Sequence, residues 1–419
     1  MKYFGTDGIR GEVGKSLPFE RAFQLGYAVK YFFHDKKVMI AYDTRASFQT
    51  LTQALIQGLE SHDVEVLGMF PTPILAFESK QKDAIGIMIT ASHNPYTDNG
   101  LKLFKDGLKL SKDILQQLER LMDQAPQYVS ASVAFKETKD IRAYRNFLND
   151  LKFVDSVSKD ALFDCANGAT SFLVPEIFQG SVIHHQPDGM NINLNCGSTY
   201  IEKYIEKKHG HPIIVTYDGD GDRMLAVIDS KVIYGDILLY LFAKDDQTKG
   251  LKHNVALSVM TNPGIIKAFQ ELDIDVVETP VGDSYIIDAI EQGLVTRGAE
   301  ASGHILTEHI TIGDGILASY KLFDLISRQG LDTITSWLNE LTLFPMETKN
   351  IHLDKTILKD ERIKKELNKI IENIPKPGKV IVRASGTEDL IRITVSLSSQ
   401  AAVKSTIQTI ETLLSGGNV

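Results

Sequence analysis

Cysteine is nearly absent: Cys165 and Cys196 are the two thiols in 419 residues. Two thiols do not make a disulfide scaffold, and both read as reduced. Positive charge is not in excess either. There are 45 lysines and arginines against 54 aspartates and glutamates, a formal net charge of −9. A general nucleic-acid binder needs a basic face, so that partner class is set aside. An anionic small substrate is not, because local positive groups can focus attraction inside an acidic protein. Long apolar runs are missing too. The most apolar stretch, residues 232–243, contains Gly235 and Asp236 and is too short to span a bilayer. The first residues lack the order of a secretory signal. The expectation is a cytoplasmic protein with no membrane partner. Low-complexity segments and clear repeats are also lacking.

What is present is a soluble globular composition, 43% hydrophobic and 24% charged, in a chain too long for one ordinary core. Short apolar strands alternate with amphipathic helices. Residues 38–42, 64–67, 85–89, 161–164, 213–217 and 255–259 read as strands. Residues 47–60 and 113–122 read as helices, and another helix begins near Pro263. This alternation predicts α/β domains with largely parallel sheets, whose ligands collect at the carboxyl ends of strands. The last part differs. A lysine- and glutamate-rich helix over 357–374, two strands at 380–382 and 390–397 and a helix over 401–414 predict a small α+β domain. A linker around Phe344-Pro345-Met346 joins it to the rest.

Three segments can carry chemistry together. The run Thr90-Ala91-Ser92-His93-Asn94-Pro95 follows a buried-strand pattern, so Ser92 is delivered to a strand tip. Alone it reads equally as a turn, and a hydroxyl needs a base or a metal to become a nucleophile. Lys102 follows closely and could act as a base if its pKa were lowered. Asp218-Gly219-Asp220-Gly221-Asp222-Arg223 holds three carboxylates in a loop that glycines allow to tighten. Carboxylate oxygens suit Mg²⁺. An EF-hand would need glycine and glutamate where Arg223 and Asp229 stand. A solvated acidic turn is the plain competitor, but three close like charges repel without a cation. Arg383-Ala384-Ser385-Gly386-Thr387-Glu388 offers a guanidinium fork, hydroxyls and backbone N–H groups to a phosphate. No Gly-Lys-Ser/Thr follows it, so it is not a Walker loop. Gly298-Ala299-Glu300-Ala301-Ser302-Gly303-His304 could bind sugar hydroxyls, and Arg10 within Phe4–Gly11 could reach a phosphate. A nucleophile, a hard-cation site and a phosphate cradle point to phosphoryl transfer.

Taken in this order, the segments closely resemble the α-D-phosphohexomutases over essentially the whole chain. The segments 2–11, 164–169 and 191–199 are most similar to the branch that acts on glucosamine phosphates. The resemblance implies three related α/β domains and a smaller C-terminal α+β domain around a central cleft. Their expected spans are 1–140, 141–238, 239–345 and 346–419. It implies a phosphorylated Ser92, with Mg²⁺ held by Asp218, Asp220, Asp222 and a Ser92 phosphate oxygen. His93, Arg10 and Lys102 fall near the transferring group, Lys102 as a candidate acid/base. Arg223, Glu300, Ser302 and His304 fall near the sugar. Arg383, Ser385, Gly386 and Thr387 match the distal-phosphate loop. The substrate implied is a phosphorylated hexosamine, with its 1,6-bisphosphate as intermediate and activator, and a homodimer is compatible. Mannose or glucose phosphates, and a silent phosphosugar-binding protein, are the alternatives. The chain departs from the expected pattern at Tyr200, Ser284, Ala301, Ala384 and Asp389.

Overall fold

Four sheets follow one another along the chain, each assembled from strands close in sequence. The computed structural model describes residues 1–5, 7–60, 62–206, 210–307, 312–384 and 390–416. Its residues form two compact units, one of 1–259 and 277–335, the other of 260–276 and 336–419.

In the first unit, the first sheet runs Ile9–Glu12, Asp98–Lys105, Ile85–Ile89, Val38–Tyr42, Val64–Met69, with Leu108–Lys109 beside Asp98–Lys105. Ile85–Ile89 and Val38–Tyr42 are buried at every residue, which explains their unbroken apolar character. Each large aliphatic side chain so buried contributes about 1.5–3 kcal/mol. The second sheet runs Lys231–Ile233, Met224–Ile228, Ile213–Tyr217, Ala161–Asp164, Ser181–Ile183. The third runs Val276–Thr279, Val255–Ser258, Arg297–Ala299, Ile305–Leu306.

The expectation of largely parallel sheets needs correction. Val38–Tyr42 is parallel to both neighbours, but Asp98–Lys105 pairs antiparallel with Ile9–Glu12 and with Ile85–Ile89. Met224–Ile228 likewise returns antiparallel along Ile213–Tyr217. The reason is local. Loops of eight residues (90–97) and six (218–223) are too short for a crossover helix, so the next strand folds straight back.

In the second unit, Met346–Ile351, Ile391–Ser396 and Lys379–Ala384 make an antiparallel sheet. Two of these strands are legible in the sequence. Met346–Ile351 falls where a linker is expected, because four of its six residues are exposed and it lacks apolar alternation. The expected helix over 357–374 is also divided. A 3₁₀ turn over Lys355–Lys359 ends at Asp360, whose side chain then caps Glu361–Glu372 by accepting from the Arg362 and Ile363 amides. Ile363, Leu367, Ile391, Ile393, Val395, Val403, Ile407 and Ile410 form this unit's core. Among the described residues, no helix is long and apolar enough to cross a membrane.

Candidate functional site

Ser92 lies three residues beyond the end of the Ile85–Ile89 strand, fully buried, with φ at +52°. A left-handed serine costs on the order of 1–2 kcal/mol, so its surroundings must hold it. They do. The Ser92 amide donates to Thr90 Oγ1 (2.8 Å), and Thr90 Oγ1 donates to Asp43 Oδ2 (2.6 Å). Arg45, also fully buried, donates from Nε to the same Asp43 oxygen (2.8 Å). Its two terminal nitrogens reach the carbonyls of Ser92 (2.8 Å), Asn94 (2.9 Å), Asp98 (2.9 Å) and Pro95. Five donors in a planar fork suit this task, and an ammonium could not replace them. Sequence reasoning missed Asp43 and Arg45. Their signal was position, since they follow directly on the buried strand Val38–Tyr42.

The aspartate loop follows Ile213–Tyr217 and faces Ser92. Gly219 is required there: a Cβ would lie 2.5 Å from the Ser92 carbonyl oxygen. That close approach lets Ser92 Oγ donate to Asp218 Oδ2 at 2.6 Å. Asp218, Asp220 and Asp222 are all buried, each with an oxygen within 4.8 Å of the others'. Asp220 Oδ2 accepts from Thr72 Oγ1 (2.6 Å) and Lys102 Nζ (2.8 Å), while its Oδ1 is buried with no hydrogen-bond partner. A buried, unpaired carboxylate oxygen is costly unless a cation meets it. Three hard oxygens converging around such an atom fit Mg²⁺.

The electrostatics support the same reading. Burial and the neighbouring Asp222 and Asp220 charges push the Asp218 carboxyl well above its usual range. Burial would raise Asp222 too, but Lys102 and His304 hold it well below. Lys102 itself touches Asp220, Asp222 (3.2 Å) and Asp7 (3.2 Å). Its burial favours the neutral amine, and these carboxylates outweigh burial and hold the ammonium. Lys102 thus stands as a cation among these carboxylates. His93 differs. Burial, then the Arg223 and Arg10 charges, lowers its pKa to about 4, so its ring is neutral, with Nδ1 3.4 Å from Ser92 Oγ.

The sugar-loop residues join the same cluster. Arg223 and His304 pair as an isolated antiparallel bridge. His304 Nε2 lies 3.2 Å from Asp222 Oδ1, and its Nδ1 lies 3.2 Å from Glu300 Oε2. Burial opposes its charge, but Asp222 outweighs it and His304 is pushed up to about 10. Arg10 stands in the strand Ile9–Glu12 and pairs with Asp7, which Lys109 also reaches at 2.6 Å. The structure thus brings Ser92, His93, Lys102, Arg10, Asp218, Asp220, Asp222, Arg223, Glu300 and His304 together within one unit. Ser302 is on the exposed tip of the turn between Glu300 and His304. Arg383 belongs to the other unit, and Ser385, Gly386 and Thr387 lie outside the described residues.

Comparison with known proteins places the chain in a family. Residues 1–129 match the phosphoglucomutase/phosphomannomutase alpha/beta/alpha domain I, 234–343 match domain III, and 345–413 match the C-terminal domain. A phosphoglucosamine mutase of Dictyoglomus thermophilum is 37% identical, covering 94% of this chain and 91% of its own. One from Halalkalibacterium halodurans is 36% identical, covering 95% of each. The chain belongs to the phosphohexomutase family. Its fold also matches a solved phosphoglucomutase/phosphomannomutase family protein of Burkholderia thailandensis, with TM-score 0.80, 21% identity and coverage of 99% of this chain and 98% of that one.

A second cluster in this phosphohexomutase, Asp164 with His184 and Cys196, also has metal-ligand types within 4.8 Å of one another. Its carboxylate is already filled. Asp164 Oδ1 accepts from the Ala166 amide (2.9 Å) and faces His184 Nδ1 (3.0 Å), and Oδ2 accepts from the Gly197 amide (2.7 Å) and Tyr204 Oη (2.5 Å). Three hydrogen-bond donors thus engage this carboxylate, and the His184 ring lies against it. The cluster is an anchor for the loop around Gly197 rather than a cation site.

Proposed function

We propose that the chain interconverts glucosamine 6-phosphate and glucosamine 1-phosphate through phospho-Ser92 and glucosamine 1,6-bisphosphate. The observation that carries this is the Ser92 hydroxyl held 2.6 Å from a buried aspartate triad that contains an unpaired oxygen. The named activity of two relatives at 37% and 36% identity supports the choice of sugar.

In the forward direction the bond from phosphorus to Ser92 Oγ breaks as one to the sugar 1-oxygen forms. The sugar then turns over. The bond from phosphorus to the sugar 6-oxygen breaks as one to Ser92 Oγ forms, and the proton that Ser92 Oγ gained from the 1-hydroxyl in the first step passes to the 6-oxygen. The Ser92 proton points at Asp218 Oδ2, 2.6 Å away, and the neutral ring of His93 lies beside it. Lys102, kept charged, offsets negative charge beside it. Asp218, Asp220 and Asp222, with an oxygen of the Ser92 phosphoryl group, would hold Mg²⁺. When bound, that ion supplies electrostatic stabilisation of the phosphoryl oxygens. Glu300, Ser302, His304 and Arg223 orient the sugar, with Arg10 near the transferring group. Arg383, Ser385, Gly386 and Thr387 take the non-reacting phosphate. The proposed domains are residues 1–140, 141–238, 239–345 and 346–419, in a cytoplasmic enzyme.

The test is a coupled assay on purified protein with Mg²⁺ and catalytic bisphosphate. Glucosamine 6-phosphate is compared with glucose 6-phosphate and mannose 6-phosphate. The reading expects the highest kcat/KM for the amino sugar. A higher value for either of the others would replace it with that substrate.

A further inference from the structure

A pocket of about 550 Å³ opens beside Ser302 and Arg223, wholly within the first unit. Tyr200, Glu202, Tyr234 and Ala301 also line it. Tyr200 and Ala301 are two of the positions at which the sequence departs from the pattern it otherwise resembles. Their side chains meet around one space, although 101 positions separate them in the sequence. A bulky aromatic and a methyl thus both line the pocket.

Its chemistry is also distinct. Glu202 is the single carboxylate among the described lining residues. It is exposed, and Tyr234 Oη donates to its Oε1 at 3.0 Å. Neither lining cation is spent on it. The Lys203 ammonium is bonded to the Asn195 carbonyl and lies over the Tyr200 and Tyr204 rings. The Arg223 guanidinium faces Asp218, Asp222 and His304. Among the described residues, Glu202 therefore presents an acceptor oriented by a phenol and not neutralised by an ion pair. The wall that carries it is fixed from behind, because Asp164 accepts from both the Gly197 amide and Tyr204 Oη.

We infer that this pocket selects the substituent at the 2-position of the sugar, with Glu202 accepting hydrogen bonds from a 2-ammonium group and Tyr234 positioning its carboxylate. The inference rests on the amino-sugar reading above. An amine beside the anomeric carbon is largely protonated at neutral pH and needs an acceptor that a hydroxyl does not. A hydroxyl at the same position can still donate to the carboxylate but forgoes the attraction between opposite charges, so discrimination comes from the difference between the two. Turning the sugar about an axis across its 3- and 4-hydroxyls exchanges positions 2 and 5. The pocket therefore meets the amine in one of the two binding orientations, and the effect belongs to at least one direction of the reaction.

The experiment measures kcat/KM in both directions for glucosamine and glucose phosphates, in the unaltered protein, Glu202→Gln and Tyr234→Phe. Glutamine keeps the size of the side chain and an acceptor for Tyr234 but removes the charge. The ratio of glucosamine to glucose activity is expected to fall about tenfold in Glu202→Gln in at least one direction, and by a smaller factor in Tyr234→Phe. Unchanged melting temperatures establish that both variants fold. An unchanged ratio in both directions, in a protein that does use glucosamine 6-phosphate, overturns the pocket assignment and leaves the amino-sugar reading standing. Failure of the unaltered protein to use glucosamine 6-phosphate overturns both.

Discussion

Lys102 Nζ donates to Asp220 Oδ2 over 2.8 Å, and Asp222 Oδ2 lies 3.2 Å away. The ammonium thus balances two of the three carboxylates proposed to hold Mg²⁺. An entering cation must compete with it. Lys102→Met is expected to bind Mg²⁺ several-fold more tightly, by calorimetric titration, while turnover falls about a hundredfold or more. Without metal the variant should lose about 3 kcal/mol of stability, because it leaves buried charges unpaired. Added Mg²⁺ should restore most of that in a thermal melt. Unchanged Mg²⁺ affinity would mean that the lysine and the cation do not share these oxygens.

Ser92 is expected to carry the exchangeable phosphoryl group. Incubation with a hexose 1,6-bisphosphate should add the mass of one phosphoryl group to the intact protein and none to Ser92→Ala. The variant should fold, since the Arg45 bonds go to backbone carbonyls, including that of Ser92. A gain that persists in Ser92→Ala places the nucleophile elsewhere.

Arg383 and Arg392 are cross-strand partners in the second unit. Burial, then the charge of Arg392, lowers the Arg383 pKa. Two like charges in that register are relieved by an anion. Arg383→Ala is expected to raise KM for a monophosphate at least tenfold and to depress kcat, because remote binding energy positions the reacting hydroxyl. Arg383→Lys should recover only part of the loss. Transfer from phospho-Ser92 to water should not change. Equal loss in transfer to water and to sugar would assign Arg383 to the reacting centre or the fold.

Asp314 gives a pH dependence with a definite sign. Its carboxylate caps the helix Gly315–Gln329 through the Leu317 amide (2.9 Å) and accepts from Tyr144 Oη (2.8 Å). Burial outweighs those bonds and pushes the carboxyl up to about 6. An unfolded aspartate titrates near 3.9, so between about 4 and 6 the folded state holds the extra proton. This group's contribution to stability therefore falls as pH rises through that window and is level above it. The upper bound is about 3 kcal/mol, from roughly two pKa units. Asp314→Asn keeps a cap acceptor and removes the titration. Its stability relative to the parent, by urea denaturation, should improve steadily from pH 4 to pH 6.5. A difference independent of pH would show that Asp314 does not titrate in this range.

Much of the site could be read locally. The Ser92 turn follows an apolar run that only a doubly buried strand explains, and alternating glycines and aspartates permit one kind of loop. The cap at Asp360 and the strand Met346–Ile351 were not legible. A capping aspartate inside a charged helical pattern looks like any other surface residue. An edge strand with exposed side chains has no apolar alternation to show.

By itself, the sequence determined the alternation of strands and helices, and the positions of Ser92 and the three aspartates just beyond strand ends. These depend on neighbours a few residues away. Tertiary structure alone decided that Arg45 braces the Ser92 turn from 47 positions away, and that Lys102 reaches Asp220 across 118. It also decided that Lys102 is held as a cation among carboxylates, and that Tyr200, Glu202, Tyr234 and Ala301 share one pocket. The reason is physical. Strand order and the direction of each strand bring distant side chains to one point. A side chain's charge state then follows from which partners stand there and how far water is excluded.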